Sequence, residues 1–217
     1  VTIACVFDTE TTGLPVRYDA AFSDVDNWPY ATQVGFALVH VESGRTLWQV
    51  SSILNLPEGV EISEKATEIT GLTADFCREF GASDWPSPHE CFGEPDFFVC
   101  HNAAFDVAIL VVDAYRDNVV LPYTQDPLTL SGKPVLCTKQ LSTEYCNLPG
   151  KYAGKPKWPT LQELHTHLFG KGFDGAHDAL ADVQATARCF VELVKRGVID
   201  LATAKPSANF NPYSLGK

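Results

Sequence analysis

The first seven residues constrain the fold more than any other stretch. Residues 1–7 (VTIACVF) form a nearly continuous apolar run with β-branched side chains. A strand with one wet face alternates apolar and polar residues; this one does not, which predicts a central strand covered on both faces. The run ends in Asp8-Thr9-Glu10-Thr11-Thr12-Gly13-Leu14-Pro15. Side chains two apart on a strand share a face, so Asp8 and Glu10 are expected to project together from the strand's end. Two carboxylates this close repel, and each raises the other's pKa unless a cation lies between them. A solvated acidic turn is the bland alternative. The apolar strand that feeds the pair favours a divalent-ion site.

The next segments extend the sheet. Residues 15–30 are polar, aromatic and turn-rich, and predict a long loop. Residues 32–41 and 45–53 alternate around Glu42-Ser43-Gly44, a hairpin that makes a three-stranded meander with the first strand. Residues 62–69 predict a short helix closed by Thr70-Gly71, and Thr73 can cap another. The stretch 81–96, with prolines and glycines around Trp85, is expected to be a surface connection, and 97–100 (FFVC) a short buried strand. Residues 118–134 look irregular, 135–138 a strand running into a helix over 139–146, and 148–159 a loop rich in Gly, Pro and Lys. Thr160, with Glu163 at the capping-box position, starts a helix through Phe169. The last helix is expected over 178–196, with Leu180, Val183, Ala187, Phe190, Val191 and Val194 on one face. A meander followed by strand–helix units predicts an α/β fold, a central mixed sheet flanked by helices. One domain is expected over residues 1–200, followed by a polar tail over 201–217.

Two further acidic positions fall at strand ends or helix starts, where such folds gather their active groups. In His101-Asn102-Ala103-Ala104-Phe105-Asp106 the helical stripe Ala103, Val107, Leu110, Val111 and Ala114 begins, with Asn102 as a natural N-cap. Asp106 lies on or beside that stripe, where a carboxylate is costly unless a cation or hydrogen-bond donor meets it. The second is Asp182, in the first turns of the last helix, where the dipole favours an anion. His177 precedes it by five residues, about 140° around a helix, so the two cannot point the same way if both are helical. His177 therefore belongs to the loop containing Gly170, Gly172 and Gly175, free to swing over a site that Asp182 helps build. Taken singly, Asp106 is more often structural and His177 a surface histidine.

The totals narrow the class. With 45% hydrophobic and 20% charged residues the chain has the balance of a globular protein, and no apolar run approaches membrane-spanning length. No charged-then-apolar leader opens it, and the lack of any methionine implies a processed or trimmed start. The seven cysteines form no C-x-x-C pair and are odd in number, which predicts reduced structural thiols in a cytoplasmic setting, not a disulfide frame or zinc site. A net charge of −11 argues against a broad nucleic-acid-coating surface. It leaves room for an enzyme that grips a short length of strand through metal ions. Lys133, Lys139, Lys151, Lys155 and Lys157, opposed within the stretch only by Glu144, form the one basic segment, either a phosphate track or a solvated lysine-rich loop.

Taken in order, the segments resemble the three motifs of the DEDDh (DnaQ-like) exonucleases, the superfamily of the proofreading 3′→5′ exonucleases of bacterial and phage polymerases. F-D-T-E-T-T-G-L (7–14) is similar to the first motif, H-N-A-A-F-D (101–106) to the second and H-D-A-L-A-D (177–182) to the third. I-T-G-L-T (69–73) resembles a segment common before the second motif, and the likeness covers about residues 2–199. The resemblance implies an RNase H-like fold in which Asp8, Glu10, Asp106 and Asp182 bind two divalent ions, Mg²⁺ or Mn²⁺, with His177 as general base. Phosphodiester hydrolysis needs an activated water, neutralised charge and a stabilised leaving oxygen, and two hard cations about 4 Å apart supply all three. A histidine titrating near neutrality can accept the water's proton. The family likeness also implies contacts to the terminal nucleotide from Thr11, Thr12, Gly13, Leu14, the 69–72 segment with Leu72, and His101, Asn102 and Phe105. The expected partner is nucleic acid with a free 3′ end, single-stranded, DNA before RNA, with a polymerase or replication partner in view and no membrane. A phosphodiesterase for very short oligonucleotides, or a silent module that binds nucleic-acid ends, are the alternatives.

Overall fold

The computed structural model describes residues 1–86, 95–117, 129–130, 133–152 and 154–203. Its strands form one sheet in the order β3-β2-β1-β4-β6-β5. β1 (Ile3–Thr11) pairs antiparallel with β2 (Ala31–His40), and β2 antiparallel with β3 (Arg45–Ile53), which is the expected meander. On its other edge β1 runs parallel to β4 (Phe97–Cys100), and β4 parallel to β6 (Lys133–Cys137). A two-residue β5 (Thr129–Leu130) closes that edge antiparallel to β6. This is the mixed sheet with flanking helices that an RNase H-like fold requires.

The two-sided burial of β1 follows from strand alternation. Ala4 and Val6 face a core that includes Val99, Leu136 and, from the last helix α7 (Ala179–Lys195), Val183, Ala187 and Phe190. Cys5 and Phe7 face the opposite core, with Phe36, Phe98 and, from α3 (Ala103–Arg116), Ala103, Val107 and Ala108. The Phe7 ring stacks on Phe36 at 5.8 Å and meets Phe98 edge-on at 6.3 Å. One helix therefore covers each face of the strand. Asp8 and Glu10 continue the α7 face, whereas Thr9 continues the α3 face.

The strand runs further than the apolar run alone predicts. Its pairing with β2 continues through Asp8↔Gly35 and Glu10↔Gln33 before the register shifts at Thr11. Asp8 and Glu10 thus lie inside β1 and not beyond its end, because the longer β2 supplies a ladder past the last apolar residue. The parallel ladder to β4 stops at Val6↔Val99. Both carboxylates therefore project past the point where the neighbouring chain leaves the sheet for α3.

Elsewhere the element types agree and the boundaries shift. The expected helix over 139–146 is two single turns, α4 (Thr138–Leu141) and α5 (Thr143–Cys146), which meet at Ser142. The strand before it starts earlier, at Lys133, because β5 pairs with Lys133 and Pro134. α1 (Glu64–Thr70) and α2 (Ala74–Phe80) are capped by Ser63 and Thr73, and Gly71 ends α1 in the left-handed conformation at φ 75°. α6 (Leu161–Phe169) carries the full capping box between Thr160 and Glu163. Trp85 packs partly buried against Phe36 and is not a surface residue of its connection. The 15–30 loop holds a 3-10 turn (Val25–Asn27), with Trp28 in the core. Six cysteines (5, 77, 100, 137, 146 and 189) are buried, and burial pushes the Cys5 and Cys189 thiols up to about 12. Cys91, most of the irregular stretch 118–134 and tail residues 204–217 lie outside the described residues. Among the described residues, no helix is long and apolar enough to cross a membrane.

Candidate active site

Three elements bring the acidic residues together. β1 carries Asp8 and Glu10 on its α7 face, α3 carries Asp106 one turn from its start, and α7 carries Asp182 in its first turn. Asp106 is 3% exposed, and its Oδ1 accepts from both the amide (3.0 Å) and the hydroxyl (2.9 Å) of Thr9. Thr9 lies between Asp8 and Glu10 and points the other way, so the same strand alternation ties the α3 carboxylate to the β1 pair. Asp182 Oδ2 accepts from the His177 amide at 3.1 Å, while its Oδ1 is buried without a hydrogen-bond partner.

The close approach of α7 has a backbone cause. A Cβ at residue 35 would lie 2.6 Å from the Ala179 carbonyl oxygen, so only glycine lets the helix start rest on β2 directly opposite Asp8. Gln33, paired with Glu10, fastens the same turn. Its amide donates to Asp178 Oδ2 at 3.0 Å, and its carbonyl oxygen accepts from the Ala179 amide at 3.2 Å. Asp178 in turn caps the helix by accepting from Ala181 N–H at 3.0 Å.

Without a cation the four carboxylates oppose one another. Desolvation, then the charges of Asp106, Asp182, Glu10 and Asp178, hold Asp8 well above the ordinary carboxylate range. Glu10 is pushed up to about 8 by desolvation and then by Asp182, Asp106 and Asp178. Asp106 reaches about 7, desolvation and Asp182 outweighing the Thr9 hydrogen bonds. Asp182 is raised by desolvation, offset in part by the His177 amide. Removing such groups from water and then crowding them is unfavourable unless positive charge enters. Glu10, His177 and Asp182 offer ligand atoms all within 4.8 Å of one another. That set, the neighbouring Asp8 and Asp106, and the unpartnered Asp182 oxygen suit hard divalent cations held by oxygen donors.

His177 stands in the turn before α7, outside the helix and exposed, as the angular argument requires. Its φ of 71° is left-handed, uncommon for a residue with a Cβ, and it follows Gly175 at φ 78°. Strain of this kind is held only where the surroundings enforce it, here through the bond to Asp182.

Beside this group lies a cavity of about 440 Å³ lined by Thr9, Glu10, Thr11, Gly13, Leu14, Ser63, Lys65, Ala66, Ile69, Thr70, Phe105 and His177. It joins the first motif, α1 and the second motif around an apolar hollow that Glu10 and His177 also line. Thr11, Gly13, Leu14 and Phe105, four of the residues expected to contact the terminal nucleotide, line this cavity. Thr12, Leu72, His101 and Asn102 are not among its lining residues. Thr12 ties loops together, bonding Tyr30 through its amide (2.9 Å) and hydroxyl (3.1 Å), and Leu72 packs beside Leu56, Ala74 and Cys77. His101 is 8% exposed, with Nε2 facing the Pro159 carbonyl at 3.1 Å and Nδ1 facing the Thr138 hydroxyl at 3.0 Å. Burial lowers its pKa to about 4, so the neutral ring donates from Nε2 and accepts at Nδ1. Asn102 precedes α3, but its side chain makes no cap hydrogen bond. Its Oδ1 accepts from Lys139 Nζ at 3.1 Å instead.

Sequence reasoning missed the residues that hold the site in place. Thr9 reads only as a spacer in the D-T-E motif, although its alternation toward α3 was available. Gln33, Gly35 and Asp178 give no local signal, because their partners are about 145 positions away along the chain.

Comparisons with known proteins agree with this geometry. A family model described as "Exonuclease" (RNase_T) matches residues 5–190. The PolC-type DNA polymerase III of Bacillus subtilis is 27% identical over 197 residues, which is 88% of this chain but only 11% of the polymerase. Among solved structures, the nuclease domain of 3′hExo, a DEDDh family member bound to rAMP, superposes with a TM-score of 0.64 at 14% identity, covering 90% of this chain and 93% of that one. Exonuclease I of Methylocaldum szegediense gives a TM-score of 0.62 at 20% identity, covering 90% and 41%. The chain therefore spans well under half the length of that exonuclease and about a tenth of the polymerase. It is a member of the exonuclease family, within the DEDDh (DnaQ-like) superfamily.

Proposed function

We propose that the chain is a 3′→5′ exonuclease that removes nucleoside monophosphates from a free 3′ end, with two divalent ions held by Asp8, Glu10, Asp106 and Asp182. The observation that carries this reading is the convergence of four carboxylates from three elements, one with a buried and unpartnered oxygen, beside an apolar cavity that Glu10 and His177 help to line. When bound, such ions supply charge neutralisation at the phosphate and stabilisation of the leaving oxygen. The chain's residues do the rest. Leu14, Ile69 and Phe105 give a terminal base an apolar seat, and Lys65 at the rim complements a phosphate. Thr9 aims Asp106 and offsets part of the cost of its charge. His177, exposed beside the cavity, takes the proton of the attacking water and passes it to solvent.

A cavity bounded by the 11–14 turn and α1 favours a chain end over a continuous strand, which supports exonucleolytic action. Single-stranded DNA is the proposed substrate; solved exonuclease I complexes carry a dT13 oligonucleotide. The likeness to a polymerase supports service in replication, in the cytoplasm. End-labelled strands, a 3′-phosphorylated strand and a single-stranded circle, each with Mg²⁺, Mn²⁺ or EDTA, test the reading. Metal-dependent release of monophosphates from the free 3′ end alone is expected. Efficient cutting of the circle, or turnover in excess EDTA, would overturn it.

A further inference from the structure

We infer that Lys139, Trp158 and Tyr152 form a strand-holding ridge, on which the nucleotides leading away from the scissile phosphate lie with a base stacked on the Trp158 indole. This rests on the exonuclease reading and extends it from the terminal nucleotide to the strand behind it.

The ridge stands out by exposure. Trp28 is buried and Trp48 and Trp85 pack against the core, whereas Trp158 is 52% and Tyr152 70% exposed. Trp158 is nevertheless held in place. The Lys139 ammonium sits 5.1 Å from its ring centroid and donates to Asn102 Oδ1 at 3.1 Å. The next carbonyl, that of Pro159, accepts from His101 at 3.1 Å. Trp158 is thus linked to the His101-Asn102 pair through Lys139 on its ring and through the backbone that follows it, and the helix after that pair carries Asp106. Lys139 is close enough for the Asp106 charge to act on it.

The loop that leads to Trp158 is also built. Lys157 N–H donates to the Leu148 carbonyl at 3.0 Å, Pro149 and Pro156 form a bridge, and Gly150 lies so tightly on the Lys155 carbonyl that a Cβ would clash. This fold-back presents Lys151 and Lys155 in solvent, with the Lys151 ammonium 5.9 Å from the Tyr152 ring. Lys157 is taken up by Glu163 at 2.5 Å, so Glu144 is not the only acid set against these lysines. On a chain of net charge −11, solvent-facing lysines interleaved with exposed aromatics are what a single strand recognises: cations for phosphates and π-faces for bases.

The test compares the wild type with Trp158→Ala, Trp158→Phe and Tyr152→Ala on two substrates. One is a 20-nucleotide single strand, the other the p-nitrophenyl ester of thymidine 5′-monophosphate, which has one nucleotide and no strand. Trp158→Ala should raise KM for the strand by roughly 5- to 150-fold, the range that stacking of one base spans, with the ester unchanged. Trp158→Phe should recover most of the loss. Anisotropy of a labelled oligonucleotide in EDTA should show the same order of Kd, and it decides the matter even if no variant turns over, so failure of the exonuclease reading is seen separately. Unchanged strand KM and Kd in both alanine variants would overturn the ridge, as would equal losses on strand and ester. Binding of an acidic protein surface in place of the oligonucleotide would do so too.

Discussion

Glu10 titrates near 8 in the folded, metal-free chain but near 4.5 once exposed. Between those values the folded state binds the extra proton, so this group's contribution to stability falls as pH rises. Glu10→Gln keeps the neutral shape and removes that cost. In EDTA the variant should melt above the wild type at pH 8, and the gap should close as the pH falls toward 4.5. A gap of constant size would show that the carboxylates do not oppose one another. Saturating Mg²⁺ should reverse the order, because only the wild type gains the ionised ligand. Asp182→Asn puts an amide where the unpartnered Oδ1 lies. It should cost about 10³-fold or more in turnover, the equivalent of several kcal/mol of lost charge stabilisation, with the circular dichroism spectrum unchanged. His177→Ala should retain metal and substrate binding and lose about 10²–10⁴-fold in single-turnover rate. A variant with full rate at every pH would remove His177 from the chemistry and leave the carboxylates in place.

At the scale of elements, the contact between Gly35 and the start of α7 sets the distance between Asp8 and Asp182. Gly35→Ala must push the helix start outward, since its Cβ would stand 2.6 Å from a carbonyl oxygen. Misplacement of about 1 Å can cost on the order of 10²-fold in rate, so turnover should fall by that much while most of the melting temperature survives. A fully active Gly35→Ala enzyme would mean that α7 adjusts without disturbing the site. Contacts of this kind also show what the sequence could reveal. The apolar run before Asp8, the meander, the stripe behind Asp106 and the 140° separation of His177 from Asp182 are local patterns, and element types and acidic cluster followed from them. The extension of β1 through Glu10 was not local, for it depends on the length of β2. The family likeness makes His101 and Asn102 candidate substrate contacts, yet their side chains face Thr138, Pro159 and Lys139, and only the folded chain brings those near. The break at Ser142 likewise gave no signal, since no glycine or proline interrupts the 139–146 stretch.

For the molecule as a whole, the topology divides the site between early and late parts of the chain. β1, β2 and β3 are consecutive, joined by the 12–30 loop and the tight turn after His40, so Asp8 and Glu10 belong to contacts of smaller sequence separation than those of α7. Asp106 arrives with the parallel crossover to β4, and Asp182 and His177 only with α7, which packs on β1 and β2 from the far end of the chain. Long-range pairings of this kind form slowly because loop closure precedes their reward. The order of assembly therefore acts as a safeguard: a chain whose α7 has not docked possesses at most the first three carboxylates, with neither Asp182 nor His177 beside them. In refolding from urea, hydrolysis should return with the slowest structural phase and show no early burst. A nuclease assembled in this way cannot cut nucleic acid until α7 has docked on the sheet.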